Sequence, residues 1–529
     1  METKENNEAV EKKSFGEVVR DAFKELRETF VAFIKAPKAL WGINIPYTIE
    51  GLVYFGILTI LGKYASENMG LADTQASLIY SGVTGGITFA MLLFGGYSDK
   101  LGVSKSLKLA FVIMLVGRTL VALSGSLGLP TGLWSPMFWL MNFGLLLMVA
   151  GYGLYQPAAY AGIRRYTNKQ TAAMGYAVIY GLMNLGAFFS GFISSFTRQS
   201  FESTFPPNGL TAVFWVYVIL TAISLIVTVV ILTRKTDEEA TSQIKSENDA
   251  FDEEAGIEKE EEKEVKPDEK IDNKILILFS GLSVLSFVGW IISKTETYEA
   301  IALGLTILFA ALAVYDYLKR RPYHPFRDLR FTFFIFILIP VQTLFAHNWL
   351  TLPYYLDRAF AGTFVSEYFE VFTNLNPILI FFLTPIVAGL TARANVYKMM
   401  IYGTFVMALP TFLLALGPNV ILFLIYVLFM TIGEAMWQPR FLQWISEIAP
   451  EGKTGLYMGV GQFPWFLTKV VTGFYSGWFL TQYCPSNTPP SEMHTGTLWF
   501  IYGLIAIISP IALVLAKNWM LQGFKTKAE

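Results

Sequence analysis

Long apolar runs separated by short polar stretches dominate this chain. Twelve runs of roughly 20 residues or more, the length an apolar helix needs to cross a bilayer, form two sets of six. The first set lies near 43–63, 75–97, 107–127, 136–161, 172–196 and 212–233, and the second near 330–357, 368–393, 398–417, 419–446, 454–481 and 496–517. Two more runs, 275–292 and 298–318, lie between the sets. The pattern predicts an all-α polytopic membrane protein of about 14 transmembrane helices, with two six-helix bundles and two extra helices between them.

Polar segments divide the chain into further predicted domains. Residues 1–40 place Phe, Val and Leu at helical spacing among charges, which predicts a cytoplasmic amphipathic helix lying on the membrane or on the protein. Residues 235–273 are rich in Glu, Asp and Lys, so we expect a disordered acidic linker, with a docking or regulatory site as the alternative. The bundles then occupy 41–234 and 321–518, the extra helices 274–320 and a cytoplasmic tail 519–529.

Composition excludes several functional classes. The 529 residues are 53% hydrophobic and 15% charged, with a net charge of −1 and a mean hydropathy of +0.46. No basic face for nucleic acid is implied. One cysteine and three scattered histidines indicate neither a disulfide nor a metal site. The nearest approach to a nucleotide-binding loop, "EIAPEGKT", has Glu447 where the first glycine is required, so we expect no ATP-driven pump. We also expect no enzyme and no cofactor.

The distribution of basic residues predicts the orientation in the membrane. Lys and Arg concentrate in alternate connections, including 100–108, 164–169, 319–330 and 393–398, and are sparse in the others. Positive residues favour the cytoplasmic side. We therefore expect both termini and the acidic linker in the cytoplasm, in a multi-pass protein of the cell (inner) membrane.

A loop motif after the second run carries a family resemblance. In "FGGYSDKLGVSKSL" the glycines allow close helix approach and the aspartate can bridge at a helix end. The motif residues are Gly95, Asp99, Lys100, Gly102 and Lys105. Their spacing resembles that of the major facilitator superfamily, and "GLTARANVYK" is similar to the degenerate second copy. The resemblance implies a secondary transporter that alternates access to a central cavity, with these residues as a cytoplasmic conformational latch.

Four further stretches resemble the proton-coupled oligopeptide transporter branch of that superfamily. They are "TIEGLVYFG", "GYGLYQPAAYAG", "YGLMNLGAFFSG" and "GEAMWQPRFLQWISEIAP", on the first, fourth, fifth and tenth helices of the two bundles. Bacterial members of the branch also insert two helices between the halves. This chain departs from the pattern at three places: Tyr47 replaces a glutamate, Gly51 an arginine and Gln156 a lysine. Both cations of the family's charged cluster are therefore lost, which puts family-style proton coupling and carboxylate binding in doubt.

Glu50 stands inside the first apolar run, where a charge costs about 2.5–3.5 kcal/mol on insertion scales. Tyr47 and Tyr54 lie three residues before and four after it and share its helical face. That face suits a wet cavity, so Glu50 is a candidate proton or substrate site with Tyr47, Tyr54 and Gln156 beside it. The alternative is a neutral carboxyl that is hydrogen-bonded to Gln156 or Tyr47.

The second half contributes the other candidates. The family resemblance implies that Glu434 contacts a peptide's amino group and that Gln342 lies in the cavity wall, and Trp437 is a weaker candidate near Glu434. Lys469 lies deep in "FPWFLTKVVTG", where a buried lysine demands a partner. We expect it either to pair with Glu434, to face the cavity, or to reach an interface along its aliphatic stem. Arg118 is a further charge within an apolar run.

These observations predict a secondary active transporter, a proton-coupled symporter of a small peptide-like or amino-bearing solute. The alternative is an efflux porter or uniporter for another organic solute, because the pair of cations is absent. A receptor or scaffold that kept the fold is a third class. The expected partners are a small-molecule solute, protons and the lipid bilayer, and we expect a monomer.

Overall fold

The computed structural model describes residues 37–168, 172–254, 274–292, 296–321, 324–391, 394–448 and 463–521, together with residues 16, 17, 20, 24, 457, 460 and 461. The amphipathic helix predicted over 1–40 lies almost entirely outside them, as does most of the tail. Every regular element of the described residues is helical. The predicted all-α fold is thereby confirmed.

The first half of the described chain contains six long helices. They are α1 (Lys38–Lys63), α2 (Asp73–Leu101), α3 (Val103–Ser126), α4 (Pro136–Arg165), α5 (Ala172–Phe201) and α6 (Leu210–Ile231). A seventh helix, α7 (Arg234–Glu254), follows, and a hairpin of α8 (Lys274–Ile292) and α9 (Glu296–Lys319) separates the halves. The two helices of the hairpin pack against each other, and the Ser283 hydroxyl donates to the Thr306 carbonyl at 3.0 Å.

The second half has shorter helical pieces because prolines interrupt it. Its first span consists of α10 (Leu329–Ile337), α11 (Ile339–Leu350) and α12 (Leu352–Ala359), and the second of α13 (Phe364–Glu367), α14 (Phe369–Thr373) and α15 (Leu375–Leu390). The remaining helices are α16 (Val396–Ala408), α17 (Thr411–Leu414), α18 (Val420–Ile448), α19 (Phe463–Tyr483), α20 (Thr495–Leu515) and α21 (Lys517–Leu521). Pro340 and Pro353 occupy the first turns of α11 and α12, where the missing N–H is tolerated.

Eleven helices of the described chain are long and apolar enough to cross a membrane. The helices α2, α8 and α19 lie at the three other predicted runs. Each of the runs expected to span the bilayer therefore contains a helix. Two large apolar cores, one centred in each half, hold the bundles together.

Glycine pairs let the helices of the first bundle touch through their backbones. A Cβ atom built on Gly117 of α3 would lie 2.6 Å from the carbonyl oxygen of Gly144 on α4, and one on Gly144 would lie 2.5 Å from that of Gly117. A Cβ on Gly56 of α1 would lie 1.9 Å from the Tyr217 hydroxyl on α6. These close approaches bring α1, α3, α4 and α6 around a narrow interior.

The expectation of a disordered linker is wrong for its first part, because residues 234–254 form α7. Asp237 lies in the first turn and accepts two hydrogen bonds from Arg165, at 2.9 and 3.0 Å, and one from Tyr166 at 2.6 Å. Ala240 and Ile244 are buried one turn apart. The high charge of the segment predicted disorder. The helix is instead docked through the buried Ala240 and Ile244 and through the contact of Asp237 with Arg165. Residues 255–273 lie outside the described chain.

Candidate functional site

Glu50 lies in an ion pair inside the first bundle. Its carboxylate receives both terminal nitrogens of Arg118 from α3, with Nη1 at 2.9 Å from Oε2, and the Tyr152 hydroxyl from α4. Arg118 also donates to Thr221 on α6. Glu50 is 2% exposed and Arg118 is fully buried. The first bundle therefore neutralises this acid with an arginine from a different helix than the family resemblance implied.

The predicted alternative partners of Glu50 bond elsewhere. The Gln156 amide donates to the Tyr47 hydroxyl at 3.2 Å and to the Tyr160 hydroxyl at 3.1 Å. Tyr47 also stacks on Tyr155, with ring centroids 5.7 Å apart. The prediction that Glu50 is hydrogen-bonded to Gln156 or Tyr47 is therefore wrong, although Gln156 and Tyr47 do contact each other.

Tyr54 packs beside the group of side chains around Glu50. Its ring packs edge-on against that of Tyr152, with centroids 5.3 Å apart, and Tyr152 bonds to Glu50. Tyr54 is partly exposed, whereas Tyr47 and Glu50 are buried. Of the face predicted on α1, the tyrosine one turn beyond the acid is partly exposed, and the acid itself points into the bundle.

The wall of the second half contains Glu434 on α18. Its Oε2 accepts a hydrogen bond of 2.8 Å from the Asn376 amide on α15, and that amide also donates to Thr431 at 3.0 Å. The side chain is 4% exposed. Within the described part of the chain, Glu434 takes part in no ion pair. A short-range amide contact thus orients the carboxylate and leaves its charge uncompensated.

Glu434 lies on the side of the second half that meets the first. The helix that holds it through Asn376, α15, packs against α5, which carries Tyr180. Tyr160 and Tyr180 are 38% and 41% exposed. Tyr160 in turn bonds to Gln156. The candidate site is therefore the region where the two halves meet, with tyrosine and glutamine side chains on the first half and a carboxylate on the second.

The predicted ion pair between Glu434 and Lys469 is not formed. Glu434 is directed toward α15 by Asn376, while Lys469 lies on α19, which packs against α2 of the first half. Because the two helices turn these residues toward different neighbours, their charged ends stay apart in this conformation.

Two other sequence candidates, Gln342 and Trp437, are buried within the second bundle. Gln342 on α11 is buried and its Oε1 accepts a 3.1 Å hydrogen bond from Thr468 on α19. Trp437 is fully buried, donates to the Met407 sulfur at 3.2 Å and stacks on Trp465, with ring centroids 6.4 Å apart at 12°. Both side chains connect helices of the second bundle.

The loop between α2 and α3 holds the predicted latch residues. Gly102 has φ of +78°, a conformation that favours glycine, and it precedes the first residue of α3. Lys100 and Lys105 are exposed. The surroundings of Gly95 and of the Asp99 side chain lie outside the described residues. The latch stays a prediction.

Three ion pairs join the halves at one end of the molecule, which we call the gate end, where α1 ends and α2 begins. Lys63 bonds to Asp357 at 2.5 Å, Arg358 to Asp73 at 2.7 Å, and Arg198 to Glu370 at 2.5 Å. Each pair links a helix of the first bundle to one of the second.

Uncharged contacts reinforce this end. The Ser77 hydroxyl donates to the Gly473 carbonyl at 3.0 Å, and the Asn374 amide donates to Thr59 at 3.0 Å. In the sequence, Lys63, Arg198 and Arg358 are isolated cations near the connections in which Lys and Arg are sparse. Their partners lie about 170 to 290 residues away along the chain, and no local pattern reveals them.

Comparisons with known proteins agree with this architecture. A family model described as Major Facilitator Superfamily matches residues 45–366. Dipeptide and tripeptide permease A from Pectobacterium carotovorum subsp. carotovorum (strain PC1) is 24% identical over 160 residues, which cover 30% of this chain and 29% of the permease. The protein of the same name from Escherichia coli (strain K12) is also 24% identical over 160 residues, which cover 30% of each chain. The matched stretch thus spans less than a third of either permease.

Solved structures are similar over nearly the whole chain. A peptide transporter POT in complex with sulfate has a TM-score of 0.63 and 17% identity, with 92% of this chain and 96% of that chain covered. The POT family transporter PepTSo has a TM-score of 0.64 and 15% identity, with 92% and 99% covered. At such identity the likeness establishes the shared fold.

Proposed function

Because the chain belongs to the major facilitator superfamily, we propose that it is a secondary active transporter that moves a small peptide-like or amino-bearing solute together with protons by alternating access. It is an integral membrane protein, and the proteins it resembles are transporters rather than enzymes. The observation that carries the proposal is Glu434, a buried carboxylate of the second half that has no ion-pair partner among the described residues and is held by the Asn376 amide.

The ion pairs of the gate end support alternating access. They join the two halves at one end of the molecule, and each is a contact between side chains. Such contacts can break without unfolding either bundle. Rocking of two bundles about a central site is how transporters of this kind alternate. We propose that the gate end faces outward, with both termini in the cytoplasm of an inner-membrane protein, in keeping with the basic connections.

Of the two candidate acids Glu50 and Glu434, Glu434 is the better candidate for the coupling proton and for the solute's amine. A carboxylate held by one neutral amide can exchange its charge partner between a proton and an ammonium group. Glu50 already has Arg118 as a counter-ion, and protonation of Glu50 would leave a buried guanidinium unpaired. Proton coupling through Glu434 therefore does not require a buried ion pair to be broken.

Reconstituted liposomes test this function. With an inwardly directed proton gradient, the wild-type protein should accumulate a labelled dipeptide such as dialanine above its equilibrium level. Glu434→Gln should abolish this accumulation, because glutamine cannot take up the proton, and counterflow exchange should persist only at higher solute concentrations, because glutamine also lacks the charge proposed to bind the amine. The control is Glu238→Gln on the exposed face of α7, where the side chain is 62% exposed. Unchanged concentrative uptake by Glu434→Gln would rule out the proton role.

A uniporter or efflux porter for another organic solute is the second candidate. The observation that favours it is the first half's lack of a free cation at the family positions, since Gly51 and Gln156 stand there and Arg118 is paired with Glu50. Downhill flux of a solute with no dependence on the proton gradient would support it. Absence of flux for any solute under any gradient would leave a receptor or scaffold.

A further inference from the structure

Lys469 lies on the part of α19 that meets the first half. One face of α19 lies against α2, because Ser81 donates to the Lys469 carbonyl at 3.0 Å and a Cβ on Gly85 would lie 3.0 Å from Val470. Another face lies against α11, where Thr468 donates to Gln342. Successive helical residues are about 100° apart. Lys469 falls between these two faces and is partly exposed.

Lys469 and Glu434 lie at similar depths in the second half. The stacked rings of Trp437 on α18 and Trp465 on α19 define a common level. Glu434 precedes Trp437 by three residues, and Lys469 follows Trp465 by four. Because consecutive spanning helices run in opposite directions, both steps lead the same way from the stacked tryptophans. At about 1.5 Å per residue the two levels agree within a few ångströms.

The charge of Lys469 has no ionic partner among the described residues. The first half offers it none at the centre of the cavity, because Glu50 is bound by Arg118 and the facing groups Tyr54, Gln156 and Tyr160 are neutral. A cation inside a spanning helix is costly and faces a cavity or a partner. The cavity thus presents one acid and one base at one level, both from the second half and not joined to each other.

We propose that Lys469 binds the carboxylate of the solute while Glu434 binds its amino group, so that adjacent helices of the second half hold both ends of a zwitterion. This inference rests on the proposed function and specifies its solute. The tyrosine and glutamine wall of the first half then contacts the uncharged part of the solute. An amine without a carboxylate should lose the Lys469 contact and bind more weakly.

The test compares dialanine, dialanine carboxamide and N-acetyl-dialanine by calorimetric binding and by counterflow, with the full chain in lipid. Lys469→Met should weaken dialanine binding about 30-fold or more, the range found when one partner of a desolvated charge pair is removed. Carboxamide binding should stay unchanged, which also shows that the variant is folded. Lys469→Arg should keep most of the preference for the free acid. Lys319→Met at the exposed end of α9 is the control.

The outcomes separate this inference from the function beneath it. If the wild type prefers dialanine to the carboxamide and Lys469→Met keeps that preference, Lys469 does not bind the carboxylate and the inference is overturned. If the wild type binds neither ligand, the peptide-like solute class is wrong and both proposals fall. If Lys469→Met loses carboxamide binding as well, Lys469→Gln replaces it, and equal loss for acid and carboxamide there also overturns the carboxylate assignment.

Discussion

Glu50 and Arg118 form a desolvated ion pair with two further hydrogen-bonding groups, Tyr152 and Thr221. The arrangement satisfies most of the polar atoms, although the Arg118 Nε has no hydrogen-bond partner. Two charges removed from solvent gain little net stability from each other, but either one alone is a large liability. The pair therefore links α1 to α3 through their side chains, in a way that tolerates the loss of both charges better than the loss of one.

Removal of one charge of this pair is the first prediction. Glu50→Gln should lower the free energy of unfolding by about 3–5 kcal/mol, because it leaves a buried guanidinium uncompensated. The double variant Glu50→Gln with Arg118→Gln should be destabilised by much less than the sum of the single variants. Thermal unfolding in detergent measures both effects. Strictly additive losses would contradict the pairing, and Glu202→Gln, at an exposed position, serves as the control.

At the scale of helices, contact between α3 and α4 depends on the absence of two side chains. Gly117 and Gly144 each lie so close to the other's carbonyl that a methyl group would meet backbone atoms, which cannot move aside as a flexible side chain can. Small residues allow this close approach in membrane bundles. Helix spacing in the first bundle is therefore specified by single positions.

Gly144→Ala should destabilise the protein by about 1–3 kcal/mol, the usual cost of overpacking. The matched control is Gly82→Ala on α2, where a Cβ would have nothing within 4 Å and alanine favours the helix. Unfolding midpoints of the two variants measure the difference. Equal midpoints would argue against the backbone contact between α3 and α4.

The docking of α7 depends on a titrating group outside the membrane. Partial burial of Asp237 opposes its charge, but hydrogen bonds from Tyr166 and Arg165 outweigh this and lower the pKa below its ordinary value of 3.8. A carboxyl with a lowered pKa in the docked state stabilises docking above its ordinary pKa. That contribution is lost as the pH falls through the lower, docked value.

Asp237→Asn should accordingly weaken the docking of α7 at neutral pH and abolish the part of its stability that is lost in acid. Amide hydrogen exchange over residues 238–254 should be faster in this variant. Glu239→Gln, whose side chain is 61% exposed, should exchange like the wild type. Equal protection in Asp237→Asn and wild type would contradict the role of the Arg165 contact.

At the scale of the molecule, the three ion pairs of the gate end bias the equilibrium between its closed and open forms. Each connects the halves through a cation that is mostly shielded from solvent. The Arg358 guanidinium also donates to the Cys484 carbonyl at 2.8 Å. Loss of one pair should shift the ratio of closed to open forms about tenfold or more, the usual strength of hydrogen bonds to charged groups.

Arg358→Gln should therefore populate forms with a wider gate end. Spin labels at the exposed positions Ser203 and Thr363, in a Cys484→Ser background, would measure the distance between the halves. The distribution should move to longer distances in Arg358→Gln and stay unchanged in Arg234→Gln, whose ion pair lies within α7. An unchanged distribution in Arg358→Gln would contradict the gate.

The sequence by itself determined the number of apolar runs, their division into two halves with a pair between them, and the family. Lipid requires about 20 consecutive apolar residues for each span, and a loop motif such as that around Gly102 is a local feature. The candidate residues Glu50, Gln156 and Glu434 were also visible because polar groups in such runs are few.

Only the tertiary structure decided which of these residues contact each other. The counter-ion of Glu50 comes from α3, Glu434 is held by α15, and Lys469 lies between the contacts that α19 makes with α2 and with α11. These outcomes depend on the rotation and spacing of helices that are distant in sequence, which helical periodicity does not specify. The ion pairs of the gate end and the docking of α7 could not be predicted for the same reason. Their stabilising contacts exist only after the bundles assemble.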